Sequence, residues 1–90
     1  MASLEDHIGA IERFVEHGIE PGSCTRAILE NNLRDAFARA DEETRAIMFY
    51  IVSYCYNDIP SDCWGSREKV DQWIRAIRAK MEERDDERRA

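Results

Sequence analysis

Residues 46–66, AIMFYIVSYCYNDIPSDCWGS, decide how this chain folds. The stretch opens with the densest apolar run in the protein and closes with a Pro, a Trp and a Gly within six residues. Ile47, Tyr50, Ile51, Tyr54 and Cys55 recur at helical steps, while Met48, Phe49 and Val52 cover the flanks. Its aromatic and β-branched content would also suit a strand. Its length and the acidic cap Asp41-Glu42-Glu43 favour a helix, and no other segment offers a strand partner. The reading is a helix over about residues 42–56, apolar nearly all round and expected at the centre of the fold. Asn57 is expected to end it, and Ile59-Pro60 to force extended backbone.

Downstream, Ser66 caps a second long helix over about residues 67–82, whose inner stripe is Val70, Trp73, Ile74, Ile77 and Met81. The charged run beyond it holds no large apolar side chain, so residues 83–90 are read as a fraying helix end or a disordered tail after a domain spanning 1–82.

Upstream, Ser3 caps a helix over about residues 4–17 with the stripe Leu4, Ile8, Ile11 and Val15, widened by Phe14. Gly18 stands where a left-handed residue ends a helix. Pro21-Gly22 makes a turn, and Ser23 is expected to cap the next helix. Ala27, Ile28, Leu29, Leu33, Ala36, Phe37 and Ala40 follow at helical spacing. Asn31-Asn32 interrupts them, which leaves one long helix or two short ones; a break is favoured because Asn is a poor helix former and a good cap. The fold class is therefore all-α, a small bundle of three to five helices packed around a central apolar helix.

The totals bound the function. Ninety residues make one domain. The net charge of −6 resides mostly in residues 1–45, which argues against generic nucleic-acid binding, since that needs a basic face to displace counterions. A helix-turn-helix reader is the weakest option, because Glu30 and Asp35 share the outer face with Arg26 and Arg34. Three cysteines without a CxxC pair suit a reducing compartment better than a disulfide framework. MASLEDHIGAIERF carries acids where a signal peptide needs bases, and Ala46–Val52 is too short to span a bilayer. The expected location is the cytoplasm, with no membrane contact.

Candidate chemistry is sparse. Cys24, Cys55, Cys63, His7 and His17 have no usual zinc spacing, so no metal is expected; the bland reading is buried cysteines and surface histidines. No nucleophile–base–orienter set and no glycine-rich phosphate loop can be assembled, so neither an enzymatic activity nor a cofactor is expected. The group with character is Tyr50, Tyr54, Tyr56 and Asn57, with Asp58, Asp62 and Trp64 beside it. Such a set can stack a base or anchor a protein hot spot. Equally, Trp64 can fold back to plug the core beneath the Pro60 loop.

GIEPGSCTRAILENNLRDAFARADEETR followed by YNDIPSDCWGSREKVDQWI resembles a group of small uncharacterised proteins encoded by bacteriophages and prophages. The pattern is a Pro-Gly-Ser turn, an Ile-Leu-Glu-Asn-Asn segment, an Ala-Asp cap and Pro-Ser-x-Cys-Trp-Gly-Ser, covering about residues 8–77. Cys24 departs from it, standing where a larger apolar residue is expected. The resemblance transfers no catalytic residue. It implies a setting of phage accessory genes, many of which act by binding host machinery.

Two functions are carried forward. The first is a non-enzymatic interaction protein that binds a host protein, with a defence component as one such target. The second is an oligomeric binder or sequestering protein for a small nucleotide signal. A homodimer is expected in either case, with Val70, Trp73 and Ile77 at the contact, because three apolar helix faces exceed what ninety residues easily hide.

Overall fold

The computed structural model describes the backbone of residues 3–89 and the side chains of residues 3–84. It contains α1 (Leu4–His17), α2 (Ser23–Leu29), α3 (Leu33–Arg39), α4 (Glu42–Asp58), a single 3-10 turn (Ser61–Cys63) and α5 (Arg67–Arg89). There is no strand among the described residues, and the all-α bundle is as expected.

Local chemistry sets the helix ends. Ser3 and Asp6 form a reciprocal capping box at α1, each side chain accepting from the other's backbone N–H. Gly18 closes α1 in the left-handed region, at φ 65°, and its N–H donates to the Phe14 carbonyl at 3.0 Å. The interruption at Asn31-Asn32 is a true break. Asn31 takes φ 62°, a conformation Asn tolerates better than most residues, and the Asn32 side chain caps α3 by accepting from the Asp35 N–H. Asp41 caps α4 through the Thr44 N–H at 2.7 Å.

The core joins Ile11 and Phe14 of α1, Ile28 and Leu29 of α2, Ala36 of α3, Met48, Ile51 and Cys55 of α4, Cys63, and Val70 and Ile74 of α5. Burying each large side chain of this set stabilises the fold by about 1.5–3 kcal/mol. Helix α1 packs against α2, α4 and α5. Polar links fasten the same elements. Arg26 of α2 binds Glu30 at 3.0 Å and also reaches Glu20 and Asp71, the latter on α5. The Gly65 N–H donates to the Leu29 carbonyl at 2.7 Å, tying the segment before α5 to the end of α2.

Several expectations are corrected. Gly22, not Ser23, is the N-cap of α2, and Ser23 is its first residue. Helix α4 continues through Asn57 to Asp58 and is capped by Ile59. Its inward stripe is Thr44, Met48, Ile51 and Cys55, rotated from the expected Ile47–Tyr50–Ile51–Tyr54–Cys55 face. The helix is therefore buried along one side only, and Phe49, Tyr50 and Tyr56 face solvent. Helix α5 runs on to Arg89, so of the two readings of residues 83–89 the helix end holds and the disordered tail does not; residue 90 lies outside the described residues. Met81 is exposed rather than part of the inner stripe.

The three residues expected at a self-association contact on α5 also make contacts within one chain. Val70 is fully buried, the Trp73 indole donates to the Val15 carbonyl at 3.0 Å, and Ile77 packs against Gly18. Trp73 and Ile77 hold α5 to α1 while staying half-buried, beside the exposed Met81.

Candidate functional site

The site is a groove between α3 and α4. The break at Asn31-Asn32 starts α3 in a new direction, and Leu33 and Phe37, one turn apart on it, form one wall. Phe49 and Tyr56, two turns apart on α4, form the other. Met48 and Val52 are the floor, because they point from α4 toward the core. The groove encloses about 430 Å³. Its polar groups are Ser53, Asn57 and the Tyr56 hydroxyl, and Asn57 Nδ2 already donates to the Ser53 carbonyl at 2.9 Å.

The walls are unusually apolar for a surface. Phe49 is 75% exposed and Tyr56 77%, and Leu33 and Phe37 are each nearly half exposed. Phe49 also meets Tyr50 edge to face, with ring centroids 5.5 Å apart. The edge-to-face contact orients both rings before anything binds, which reduces the ordering cost of binding. At the Asp41 end of α4, Arg45 Nε donates to the Phe37 carbonyl at 3.2 Å, bracing α3 on α4.

The expected aromatic group does not converge. Tyr56 and Asn57 line the groove. Tyr50 stands beside it through Phe49. Tyr54 is on the other side of α4, with its hydroxyl 3.5 Å from Glu12 Oε1 of α1 and Asp58 nearby. Burial and then the Glu12 charge raise the Tyr54 hydroxyl above its ordinary value. Trp64 packs against the core, the plugging role, and Asp62 is exposed on the 3-10 turn. Leu33, Phe37 and Phe49 are groove residues that the sequence reading did not single out as a site. The facing of α4 explains it: on a helix whose inward stripe is Met48, Ile51 and Cys55, Phe49 and Tyr56 fall off the buried face.

The polar residues weighed for chemistry have structural roles. His7 is buried, not a surface histidine; Nδ1 lies 3.3 Å from Thr25 Oγ1 and Nε2 3.1 Å from Thr44 Oγ1. Either ring tautomer is satisfied there, since a hydroxyl both donates and accepts. His17 is exposed on α1. Burial pushes the Cys55 thiol up to about 12 and the Cys63 thiol up to about 11, and Cys63 Sγ donates to the Pro60 carbonyl at 3.0 Å. Both stay protonated and unreactive near neutrality. Cys24 Sγ donates to the Ala36 carbonyl at 3.4 Å, so the smaller residue at that position bridges α2 and α3. Among the described residues no helix is long and apolar enough to cross a membrane, and no cluster of three His, Cys, Asp or Glu side chains could hold a metal.

The chain matches no family model, no curated protein and no solved structure. The likeness to phage and prophage proteins rests on the quoted motifs alone.

Proposed function

We propose that this chain is a non-enzymatic, cytoplasmic interaction protein that binds a partner protein through the α3–α4 groove. The carrying observation is the exposure of Leu33, Phe37, Phe49 and Tyr56 around one continuous apolar hollow. Keeping such a patch wet costs solvation free energy, and on stable monomers contiguous apolar patches mark interaction sites. Aromatic side chains at the centre of a patch are the usual anchors of a protein interface. An enzymatic reading finds little support, because the groove's polar groups are Ser53, Asn57 and the Tyr56 hydroxyl, with no carboxylate, His, Lys or Cys among them. The phage resemblance supplies the setting, in which the partner is a host protein such as a defence component.

The test compares wild type with Phe37→Glu as baits in host lysate, with folding of both checked by circular dichroism. A protein held by wild type and lost from the folded variant supports the reading. Equal capture by both overturns it.

The nucleotide-sequestering alternative draws on the groove volume, which lies within the range of small-ligand pockets. It is the weaker reading, since none of the eight lining side chains is basic and a phosphate would find no counter-charge. A thermal-shift series with cyclic and linear nucleotides separates the two: a concentration-dependent rise favours the alternative.

A further inference from the structure

We propose that in the free protein the groove is closed by a second copy of this chain, α4 packing antiparallel on α4 about a two-fold axis near Val52 and Ser53. The inference rests on reading the groove as a protein-docking surface, and it names the occupant.

The first argument is fit. Phe49 and Tyr56 are seven residues apart on α4, a separation of roughly 10 Å along a helix. A helix docked in such a groove presents anchors at i, i+3 or i+4, and i+7. Helix α4 itself presents that series in Phe49, Val52 and Tyr56. Antiparallel pairing then sets Phe49 of each copy against Tyr56 of the other. Ser53, a small side chain close to the midpoint, lets the two helices approach.

The second argument is charge. Residues 46–57 carry no charged side chain although 36% of the chain is charged, so the contact buries no ion. The arrangement is isologous and closes on itself, as two-fold interfaces must.

The third argument is area. With aromatic side chains presenting about 200 Å² each, the exposures of Phe49, Tyr56 and Phe37 amount to on the order of 400 Å² per copy. That is about half of the roughly 800 Å² per partner of a standard interface. Leu33, Tyr50 and the surface between the walls supply further area.

Light scattering on the full chain at about 100 μM, well above a micromolar Kd, is the test. Wild type is expected at twice the chain mass. Phe49→Glu and Tyr56→Lys each reduce it to the monomer mass with helical content retained, because both side chains are largely exposed within one chain. Mixing the two variants restores a dimer, since the pairing places Glu at 49 opposite Lys at 56. A wild-type monomer overturns the proposal, as does a dimer that survives both variants, or variants that fail to recombine. A monomer whose partner capture still depends on Phe37 overturns the dimer and leaves the docking reading standing. A dimer behaving as described, with capture indifferent to Phe37→Glu, does the reverse.

Discussion

The Trp73 indole N–H donates to the carbonyl oxygen of Val15 at 3.0 Å, so a side chain of α5 serves one of the carbonyls that α1 leaves open where it stops. The last four carbonyls of any helix lack partners within it. Here Gly18 covers Phe14 and Trp73 covers Val15, and the same indole packs on the core. Trp73→Phe keeps most of the packing and orphans the carbonyl, with an expected loss of about 1–3 kcal/mol. Trp73→Ala is expected to lose about 3–5 kcal/mol. Urea denaturation followed by circular dichroism measures both, and a neutral Trp73→Phe would show that water serves Val15 equally well.

Gly18 makes the other half of that junction. Its φ of 65° favours glycine, and an added Cβ would lie 3.2 Å from Ile77 Cβ and 3.3 Å from the Ile74 carbonyl oxygen. Gly18→Ala combines a left-handed backbone penalty of about 1–2 kcal/mol with that crowding. Gly22→Ser is the control, because nothing lies within 4 Å of its added Cβ and a serine cap replacing glycine changes stability by only a few tenths of a kcal/mol. Comparable melting temperatures for the two variants would contradict the account.

His7 links α1 to α2 and α4 through two buried hydroxyls. Removing the ring in His7→Ala leaves Thr25 and Thr44 hydroxyls unpaired, each at a cost of about 1–3 kcal/mol. The triple change His7→Leu, Thr25→Val and Thr44→Val removes every orphan and is expected to be much closer to wild type than His7→Ala alone. If the triple variant is the least stable, packing rather than hydrogen bonding dominates at this site.

Acid should weaken the fold through three aspartates. The Arg26 hydrogen bond depresses the Asp71 carboxyl, and hydrogen bonds from Ser3 and Thr44 depress Asp6 and Asp41. A depressed folded value means stabilisation that is complete above the unfolded value near 4 and lost as pH falls through the lower folded value. The melting temperature is therefore expected to hold level from pH 8 to 5 with respect to these groups and to drop below about 4. Asp71→Asn should shrink that drop, and an unchanged acid limb in this variant would remove Asp71 from the account.

Thiol labelling should report burial. At pH 8, Cys55 and Cys63 are expected to react far more slowly than an unperturbed thiol, since burial pushes them up to about 12 and about 11. Cys24 is half-buried and raised less, and is expected to label first. In denaturant all three should react together. Fast labelling of Cys55 in the native protein would reveal an opening of α4 away from α1.

Much of the architecture is legible in the residues because it is local. The Ser3 and Asp41 caps, the left-handed Gly18 and the break at Asn31-Asn32 each depend on a few neighbouring backbone groups, and the sequence states them directly. The bounds of α1 follow in the same way. The facing of α4 is different. Its apolar side chains nearly encircle the helix, so periodicity alone fixes no inward side; the helix turns Met48, Ile51 and Cys55 inward because α1, α2 and α5 together bury those three. Phe49 and Tyr56 then fall outside, opposite Leu33 and Phe37, and a run that reads as core becomes a groove. The same long-range packing takes Trp73 for α1, draws His7 between two threonines and folds Trp64 onto the core. Sequence determines the ends that a local cap fixes, as at Ser3, Gly18, Asn32 and Asp41, since such a cap is a matter of three or four residues. Tertiary structure decides which apolar face stays wet, since that depends on how much surface the neighbouring helices can cover.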